Sequence, residues 1–443
     1  MRIAVFGLGY VGLSTGIVFA TKGNQVIGVD IDEERVKKIN QGILPFYEPK
    51  LNDYLLNVLK RGNFYATSNY EDAVRNTEIG YICVPTPTDN EGNVNLIYLN
   101  QAIRRILNLI VGGNKYYTIV IKSTMPPSTM SIIRKIIEGE YGLKIGDDVG
   151  LAHVPEFLRT GTTLSDLEAP SRVVIGVEDE KTRELLYKFY KSLYGDKNVP
   201  IILTNFVNAE FIKYTSNAFL STKISFINEI ARLAEKLEGA DVKVIAKGIG
   251  LDPRIGEKFL GAGLGFGGSC LPKDLRGFVK TFENYGEKSY VLAAAYKVNE
   301  EQPLRGVKML KELVGELKGK KIAILGASFK PNTDDIREAV SIEIINELIR
   351  EGANVFVYDP KALDNLKKVF GEKINYCGNL EEVLRGAHGA IVVTEWEEIR
   401  RLKPEKFKEL MTQPNLVDGR RIYDPEEFME KGIRFRAIGL GPR

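Results

Sequence analysis

A pattern of strand, turn, helix, strand and acidic residue occurs twice in this chain of 443 residues, and it constrains the fold more than any other feature. The first copy runs from residue 2 to Asp30, and the second runs from residue 321 to Asp359. Further apolar runs alternate with helical stretches, which is typical of parallel sheets covered by helices on both faces. The sequence therefore predicts an α/β protein with two doubly wound parallel-sheet domains.

The segment that joins the two copies is predicted to be helical. Residues 206–237 contain almost no helix-breaking residue, and Phe219, Ile227 and Ala234 recur at helical spacing. This pattern predicts one long helix, followed by further helices to about residue 305. A helical segment between two α/β halves is a natural contact surface for a second copy, so we expect a homodimer. The expected domains are an N-terminal α/β domain at 1–203, a central helical domain at 204–305 and a C-terminal α/β domain at 306–443.

Composition narrows the class of protein. With 44% hydrophobic and 27% charged residues the chain is expected to be soluble and globular. A net charge of +3 implies no broad basic surface, so we expect no nucleic-acid partner. The three widely spaced cysteines form neither a disulfide framework nor a zinc pattern, which favours a reducing cytoplasm and no metal. No apolar run approaches the ~18 residues of a spanning helix, and a strand begins at once, so we expect neither a membrane partner nor a signal peptide.

The turn after the first strand has the pattern of a dinucleotide site in a Rossmann-like domain. Gly7 allows the turn, Gly9 leaves room for a pyrophosphate, and Gly12 permits close packing of the helix. The pyrophosphate would lie at the positive end of that helix. Asp30 ends the second strand, where it can accept hydrogen bonds from a ribose diol and repel a 2′-phosphate, so NAD is predicted over NADP. We expect Arg35 to stack over the adenine.

A second glycine-rich loop, Gly265–Asp274, carries one cysteine to the start of a predicted helix. There Cys270 would feel the positive end of the helix and the charge of Lys273, which both favour a thiolate. A thiolate is the form that acts as a nucleophile. The alternative is a buried, inert cysteine in a tight turn. Cys83 and Cys377 have no comparable setting and are predicted to be structural.

Other polar residues follow strands or share one helix face. Lys213 and Asn217 lie four residues apart among apolar neighbours on the predicted long helix, so they are expected to point into a site rather than toward solvent. Thr124 follows a strand at the edge where open parallel sheets bind ligands. Glu156 follows another strand, although it could be a plain loop carboxylate. His153 is expected to be a packing residue.

Together these motifs resemble the nucleotide-sugar dehydrogenases of the UDP-glucose/GDP-mannose dehydrogenase family, along essentially the whole chain. The segments that carry the resemblance are Gly7–Gly12, Pro45–Pro49, Val84–Thr88, Lys122–Thr124, Pro155–Leu158, Lys213–Asn217, Pro253–Gly256, the Cys270 loop and Phe329–Asp335. The Cys270 loop is highly specific for the family, and the first glycine motif is not.

The resemblance implies that the N-terminal domain binds NAD, the C-terminal domain binds the nucleotide, and the long helix makes a dimer. It further implies an NAD-dependent four-electron oxidation of UDP-glucose to UDP-glucuronate through a cysteine thiohemiacetal and thioester. Cys270 would be the nucleophile, Glu156 would activate water, and Asp274 would share in proton transfer with Lys213. Thr124, Asn217 and Lys213 would stabilise oxyanions and bound water. The implied catalytic residues are thus Cys270, Lys213, Asn217, Glu156, Thr124 and Asp274.

The same resemblance implies two sets of ligand-binding residues and no metal. The cofactor-binding residues are Gly7, Gly9, Tyr10, Val11, Gly12, Asp30, Arg35, Pro85, Thr86 and Thr124. The residues implied for the UDP-sugar are Glu156, Phe157, Leu158, Lys213, Asn217, Arg254, Phe259, Phe266, Gly267, Phe329 and Lys330. Arg254 resembles an arginine that reaches the substrate across the dimer contact.

Two alternatives remain open. A GDP-mannose dehydrogenase would use the same mechanism, and Leu271 after the cysteine is frequent in that branch, although Pro253–Gly256 looks like the UDP-glucose branch. A non-catalytic nucleotide-binding sensor is the second alternative, but it has no need of the whole catalytic set. Thr160 stands where the family usually has a second glutamate, and Val154 replaces a more usual small polar residue.

Overall fold

The computed structural model describes residues 1–89, 91–113 and 115–443, which divide into two units, Met1–Ser216 and Asn217–Arg443. The strands of the first unit are β1 (Arg2–Phe6), β2 (Gln25–Val29), β3 (Phe64–Thr67), β4 (Ile79–Ile82), β5 (Tyr117–Ile121), β6 (Val149–His153), β7 (Val173–Val177) and β8 (Ile201–Thr204). Its helices are α1 (Tyr10–Thr21), α2 (Glu33–Asn40), α3 (Leu51–Lys60), α4 (Tyr70–Asn76), α5 (Ile97–Ile110), α6 (Thr129–Lys135), α7 (Thr163–Glu168), α8 (Glu180–Tyr194) and the first part of α9 (Phe206–Ala234).

The sheet of the first unit has the order β3-β2-β1-β4-β5-β6-β7-β8. Alternate residues of each strand face different cores, as the twofold periodicity of a strand requires. In β1, Ile3 and Val5 pack with α1 and α3 on one face, while Ala4 and Phe6 pack with α4 and α5 on the other. The strands β4 to β7 are buried along their whole length, which agrees with the prediction of a sheet covered on both faces.

The second unit has a six-stranded, wholly parallel sheet of order β11-β10-β9-β12-β13-β14. Its strands are β9 (Lys321–Leu325), β10 (Asn354–Tyr358), β11 (Asn375–Tyr376), β12 (Gly389–Val392), β13 (Asn415–Asp418) and β14 (Arg434–Ala437). Its helices are the rest of α9, α10 (Val242–Gly250), α11 (Leu271–Asn284), α12 (Tyr290–Val314), α13 (Val340–Arg350), α14 (Leu363–Phe370), α15 (Leu380–Leu384), α16 (Glu397–Arg400), α17 (Pro404–Leu410) and α18 (Pro425–Glu430).

The predicted fold class is confirmed, with one difference in the first sheet. Strand β7 pairs antiparallel with β6, and only through Ala152 with Val177 and His153 with Gly176. A parallel pairing would need a crossover connection that brings the chain back to the end of the sheet at which β6 begins. Here the connection from β6 to β7 instead carries Glu156 and the short helix α7. The alternation of strands and helices predicted the strands but could not predict this reversal.

The long central helix was predicted correctly in position, and α9 spans 29 residues from Phe206 to Ala234. The boundary between the two units falls inside it, after Ser216. The division into domains at 1–203, 204–305 and 306–443 stays a prediction. Within the described residues, no helix combines the length and the apolar character needed to cross a lipid bilayer.

Candidate active site

The turn after β1 has the geometry that a bound pyrophosphate needs. Gly7 has φ +92°, a conformation that L side chains rarely adopt, and a Cβ there would lie 2.8 Å from the carbonyl oxygen of Cys83. A Cβ at Gly12 would collide with the carbonyl of Gly7, so α1 can approach the turn only because this residue is glycine. A Cβ at Gly9 would meet nothing within 4 Å. The turn therefore opens onto free space at the N-terminus of α1, which fits NAD.

Asp30 lies buried at the end of β2 and organises this turn. Its carboxylate accepts hydrogen bonds from the backbone N–H of Leu8 at 2.8 Å and of Asp32 at 3.0 Å. The Arg35 guanidinium donates to both Asp30 oxygens, at 3.0 and 3.1 Å. In this structure Arg35 is thus held against the acid, and its stacking over the adenine stays a prediction.

The other predicted cofactor residues lie along the carboxyl edge of the same sheet. The Thr86 hydroxyl donates to the carbonyl of Thr124 at 2.6 Å, which joins the loops that follow β4 and β5. The ring of Tyr10 stacks on Phe46 with centroids 3.9 Å apart. Pro85 is exposed and Val11 is half-buried. The first unit therefore gathers the predicted cofactor residues at one edge.

Glu156 and Lys213 form a buried ion pair in the first unit. The Lys213 ammonium lies 3.0 Å from Glu156 Oε1, and the two residues are only 3% and 6% exposed. The other carboxylate oxygen accepts the backbone N–H of Leu158 at 2.5 Å. Lys213 also lies 5.5 Å from the ring centroid of Phe157. The residues predicted as base and oxyanion partner are therefore in direct contact.

Two neighbours of this pair are kept neutral by burial. Burial lowers the pKa of His153 to about 4, and its Nδ1 lies 2.9 Å from the carbonyl of Ile121, so the prediction of a packing residue is confirmed. Burial raises the pKa of the Cys83 thiol to about 12. Cys83 is half-buried and Cys377 is buried, and burial raises the pKa of the Cys377 thiol to about 11. Neither cysteine is suited to nucleophilic chemistry.

In the second unit, Cys270 is exposed and occupies the N-cap position of α11, as the loop pattern predicted. The loop before it packs tightly because it is made of glycines. Gly268 has φ +87°, and a Cβ there would lie 2.7 Å from the Phe329 ring. A Cβ at Gly267 would collide with the carbonyl of Glu338. The Gly268 N–H donates to the Arg337 carbonyl at 3.0 Å, so the cysteine loop is fixed against the segment after β9.

Asp274 lies one turn into α11 and contacts both Asn217 and Lys273. Its Oδ2 accepts a hydrogen bond from the Asn217 amide at 2.6 Å, and its Oδ1 lies 2.7 Å from the Lys273 ammonium. Asp274 and Asn217 are buried. The charge of Lys273, which we expected to act on Cys270, is therefore partly balanced by Asp274.

The remaining predicted substrate residues lie on loops of the second unit. Phe266 is buried, and its backbone is held at both ends by the Asn299 amide, at 2.8 and 3.0 Å. Phe259 is half-buried with φ +67°. The Lys330 ammonium lies 5.4 Å from the Phe329 ring centroid. Arg254 is exposed and pairs with Asp252 at 2.6 Å.

In the second sheet, an acidic residue holds the turn that follows β9. Asp359, the counterpart of Asp30 in the repeated pattern, is buried and accepts backbone N–H groups of Ala327 and Ser328 at 2.7 and 2.9 Å. The Trp396 indole donates to the same oxygen at 3.0 Å. The other oxygen accepts the N–H groups of Lys361 and Ala362. Both oxygens of this carboxylate are therefore occupied by hydrogen bonds from the protein itself.

Sequence reasoning missed three residues that support the site in the first unit. The Arg172 guanidinium lies 3.9 Å from the Phe157 ring centroid and donates to Ser216 Oγ at 3.0 Å. Glu210, on α9, accepts the N–H groups of Ser128 and Met130 at 2.7 Å each, at the start of α6. Lys122, directly after β5, is buried. Only Lys122 had a local signal, as a charged residue that follows a buried strand.

The fold and these features define a nucleotide-binding oxidoreductase built on two Rossmann-like sheets. The chain belongs to the UDP-glucose/GDP-mannose dehydrogenase family. The model of the family's NAD binding domain matches residues 1–194, that of its central domain matches 207–301, and that of its UDP binding domain matches 323–425. Its cofactor is NAD, and its substrate is a nucleotide sugar.

Known proteins match along the whole chain. A UDP-glucose 6-dehydrogenase of Rickettsia bellii is 40% identical over 441 residues, covering 99% of each chain. A UDP-glucose 6-dehydrogenase of Bacillus subtilis is 37% identical, covering 99% of this chain and 93% of the relative. The solved structure of a UDP-glucose dehydrogenase from the hyperthermophilic archaeon Pyrobaculum islandicum is 34% identical, with a TM-score of 0.89 and coverage of 100% of this chain and 96% of that one.

Proposed function

We propose that this protein oxidises UDP-glucose to UDP-glucuronate, with NAD as the oxidant and Cys270 as a covalent nucleophile. The observation that carries the proposal is the exposed thiol of Cys270 at the N-terminus of α11. A helix N-terminus favours the thiolate, whereas burial keeps Cys83 and Cys377 protonated. The named activities of the relatives support the same substrate.

The covalent step divides the four-electron oxidation into two separate hydride transfers. NAD, when bound, accepts the two hydrides that the sugar C6 carbon loses. Once the alcohol has become an aldehyde, the Cys270 thiolate attacks its carbonyl carbon and forms a thiohemiacetal. Loss of the second hydride and of the hydroxyl proton leaves a thioester. Water then adds, the carbon–sulfur bond breaks, and the carboxylate leaves with the thiol restored. In total, one alcohol, one water and two NAD become one carboxylate, two NADH and three protons.

The polar residues have roles that follow from their settings. Glu156 is the base that takes a proton from the attacking water, and it is buried beside Lys213, which supports both the carboxylate and the oxyanion. Thr124 and Asn217 stabilise oxyanions and the bound water. Asp274, whose carboxylate already holds the Asn217 amide, shares in proton transfer with Lys213. The remaining predicted cofactor and substrate residues belong to the same proposal.

The base of the nucleotide is proposed to be uracil. The match of residues 323–425 to a UDP binding domain supports this choice, as does the Pro253–Gly256 segment. Leu271 is the observation that favours the second candidate, GDP-mannose, because it follows Cys270 as in many enzymes of that branch. The chemistry at C6 would be the same for both sugars.

The test is the amount of NADH formed from a limited quantity of each sugar. With UDP-glucose we expect two NADH per sugar and UDP-glucuronate as the product. With GDP-mannose we expect a much lower rate. An equal or higher rate with GDP-mannose would reverse the substrate assignment, and no NADH with either sugar would favour a nucleotide-binding sensor.

We further propose that the protein is a homodimer joined through α9. Phe219, Phe226 and Leu233 are 64%, 50% and 61% exposed, and they recur every seven residues on this helix. Apolar residues at heptad spacing form the seam by which helices pair. A second copy of the same helix is complementary to this stripe, since a twofold interface uses the same patch on both chains.

A further inference from the structure

The segment of residues 45–49 carries part of the family resemblance, but the reaction described above gives it no role. It lies between α2 and α3, and its glutamate, Glu48, is only 4% exposed. Burying a carboxylate is unfavourable unless hydrogen bonds replace those that it loses with water. The hydrogen bonds of Glu48 therefore indicate what the buried carboxylate does.

The Glu48 carboxylate holds the end of the Glu156 loop (residues 156–163), which connects β6 to α7. Its Oε2 accepts a hydrogen bond from the backbone N–H of Gly161 at 2.7 Å, and its Oε1 accepts one from the N–H of Thr163 at 2.9 Å. These bonds join residues 113 and 115 positions apart, so they depend on the fold and not on local sequence. One side chain thus fixes two backbone groups of the loop.

The start of the same loop carries the proposed base. The Lys213 ammonium on α9 lies 3.0 Å from Glu156 Oε1, and Glu156 Oε2 accepts the backbone N–H of Leu158 at 2.5 Å. The Glu156 loop is therefore held at its start by α9 and at its end by Glu48. With the contact to Glu48 removed, the loop would be free to shift relative to the rest of the first unit.

Residues 45–49 also contact the turn of the dinucleotide site. The ring of Phe46 stacks on the ring of Tyr10, the first residue of α1, with centroids 3.9 Å apart. Phe46 and Leu158 pack against the same hydrophobic core, which includes Leu13 of α1. The segment thus has one aromatic contact with the dinucleotide turn and one carboxylate on the Glu156 loop.

We propose that Glu48 is a positioning residue, which sets the place of the Glu156 loop relative to the dinucleotide turn. This inference rests on the proposed function, because it assigns to Glu48 the placement of the proposed base. In that reaction, hydride leaves the sugar C6 carbon toward the dinucleotide, and water later attacks the same carbon. The dinucleotide and Glu156 must therefore be held at a fixed spacing. Glu48 acts on this spacing through the two backbone N–H groups that it accepts.

The test compares Glu48→Ala and Glu48→Gln with the wild type. Alanine removes both acceptors, whereas the single oxygen of glutamine can hold only one of the two N–H groups at a time. We expect kcat with UDP-glucose to fall about 10²-fold in Glu48→Ala and about tenfold in Glu48→Gln, because a shift of about 1 Å in a reacting group has effects of this size. The thioester on Cys270 should accumulate during turnover and appear as added mass.

Residue-resolved hydrogen–deuterium exchange gives a second measurement, which does not depend on the reaction. The Leu158 N–H donates to Glu156 and not to Glu48, so its exchange rate reports whether Glu156 keeps its place. We expect this N–H to exchange faster in Glu48→Ala than in the wild type, and at an intermediate rate in Glu48→Gln. A purely structural role would lower the stability to urea but leave this exchange rate unchanged.

Tyr54→Phe is the matched control, because Tyr54 on α3 contacts α7 outside the Glu156 loop. Its hydroxyl donates to Glu168 Oε1 at 2.9 Å. The control should lose some stability but keep the wild-type kcat and Leu158 exchange rate, without an adduct.

Our inference is overturned if Glu48→Ala keeps the wild-type kcat, if it loses kcat without accumulating the thioester, or if its Leu158 N–H exchanges as slowly as in the wild type. Failure of the proposed function is a different result, because the wild type itself would then form no NADH.

Discussion

At the scale of single residues, the sequence indicates candidate site residues but not the contacts that hold them. Cys270, Glu156 and Lys213 were recognisable because each is a reactive residue in a local pattern of glycines, strand ends or helix spacing. The cation of Arg172 over the Phe157 ring was not predictable, because nothing local to either residue indicates the other. Such contacts depend on how distant segments pack, which a local pattern does not encode.

The role proposed for Glu156 leads to a prediction about a covalent intermediate. Glu156→Gln removes the base, so hydrolysis of the thioester should slow by about 10²–10⁴-fold, the usual contribution of a general base. A thioester on Cys270 should then accumulate during turnover, visible as added mass in the intact protein and removed by hydroxylamine.

The matched control for this experiment is the double variant Glu156→Gln, Cys270→Ser, which should show no adduct under the same conditions. A slowed single variant without an adduct would show that Glu156 has another role. A single variant that hydrolyses the thioester at the wild-type rate would show that Glu156 takes no part in the mechanism.

At the scale of elements, the Glu210 carboxylate connects α9 to the turn that follows β5. Glu210 is fully buried, and it accepts the first N–H groups of α6 at Ser128 and Met130. Ser128 has φ +76°, an uncommon conformation for a residue other than glycine, and this carboxylate helps to hold it. Thr124 lies in the same turn, so the helix that carries Lys213 also fixes the loop that carries Thr124.

Glu210 predicts a pH dependence of stability. Burial raises its pKa from 4.5 to about 7, so the folded protein binds this proton more tightly than the unfolded chain does. Its contribution to stability is therefore greatest below pH 4.5 and is lost as pH rises to about 7. Glu210→Gln cannot ionise, so the wild type should lose up to roughly 3 kcal/mol relative to this variant across that interval.

Urea unfolding of both proteins between pH 4.5 and 8 measures this difference. Glu138→Gln, which changes an exposed carboxyl group in the turn after α6, is the control and should follow the wild type. A constant difference between the wild type and Glu210→Gln at all pH values would contradict the prediction.

The elements themselves were largely predictable, since buried strands and a long helix have strong periodic patterns. The long helix α9 begins at the predicted residue, Phe206, and ends three residues before the predicted end. The direction of β7 was not predictable, because its apolar residues fit either orientation. The contact of Glu210 with α6 could not be predicted from local sequence either, since it joins residues 80 positions apart.

At the scale of the whole molecule, the exposed stripe on α9 predicts the state of assembly. Phe219→Asp with Phe226→Asp places two charges in the proposed seam, so the protein should become monomeric in analytical ultracentrifugation. By resemblance, Arg254 serves the site of the second copy, so the KM for UDP-glucose should also rise about tenfold, as expected for a lost hydrogen bond to a charged group.

Leu56→Asp is the control, because Leu56 is 48% exposed on α3 and lies outside the stripe. It should remain dimeric with an unchanged KM. A double variant that stays dimeric would place the interface elsewhere, and a fully active monomer would show that Arg254 acts within its own chain.

The saturated carboxylate of Asp359 has a consequence for the order of events in the proposed reaction. The acid that could bind a ribose in the second sheet is occupied by the chain's own indole and amide groups. In the proposed reaction, both hydrides would pass to dinucleotides bound at the turn after β1, one after the other. The protein would then have to release a reduced dinucleotide and bind an oxidised one while the half-oxidised sugar stays in place. A bond to sulfur would keep that reactive aldehyde from escaping during the exchange.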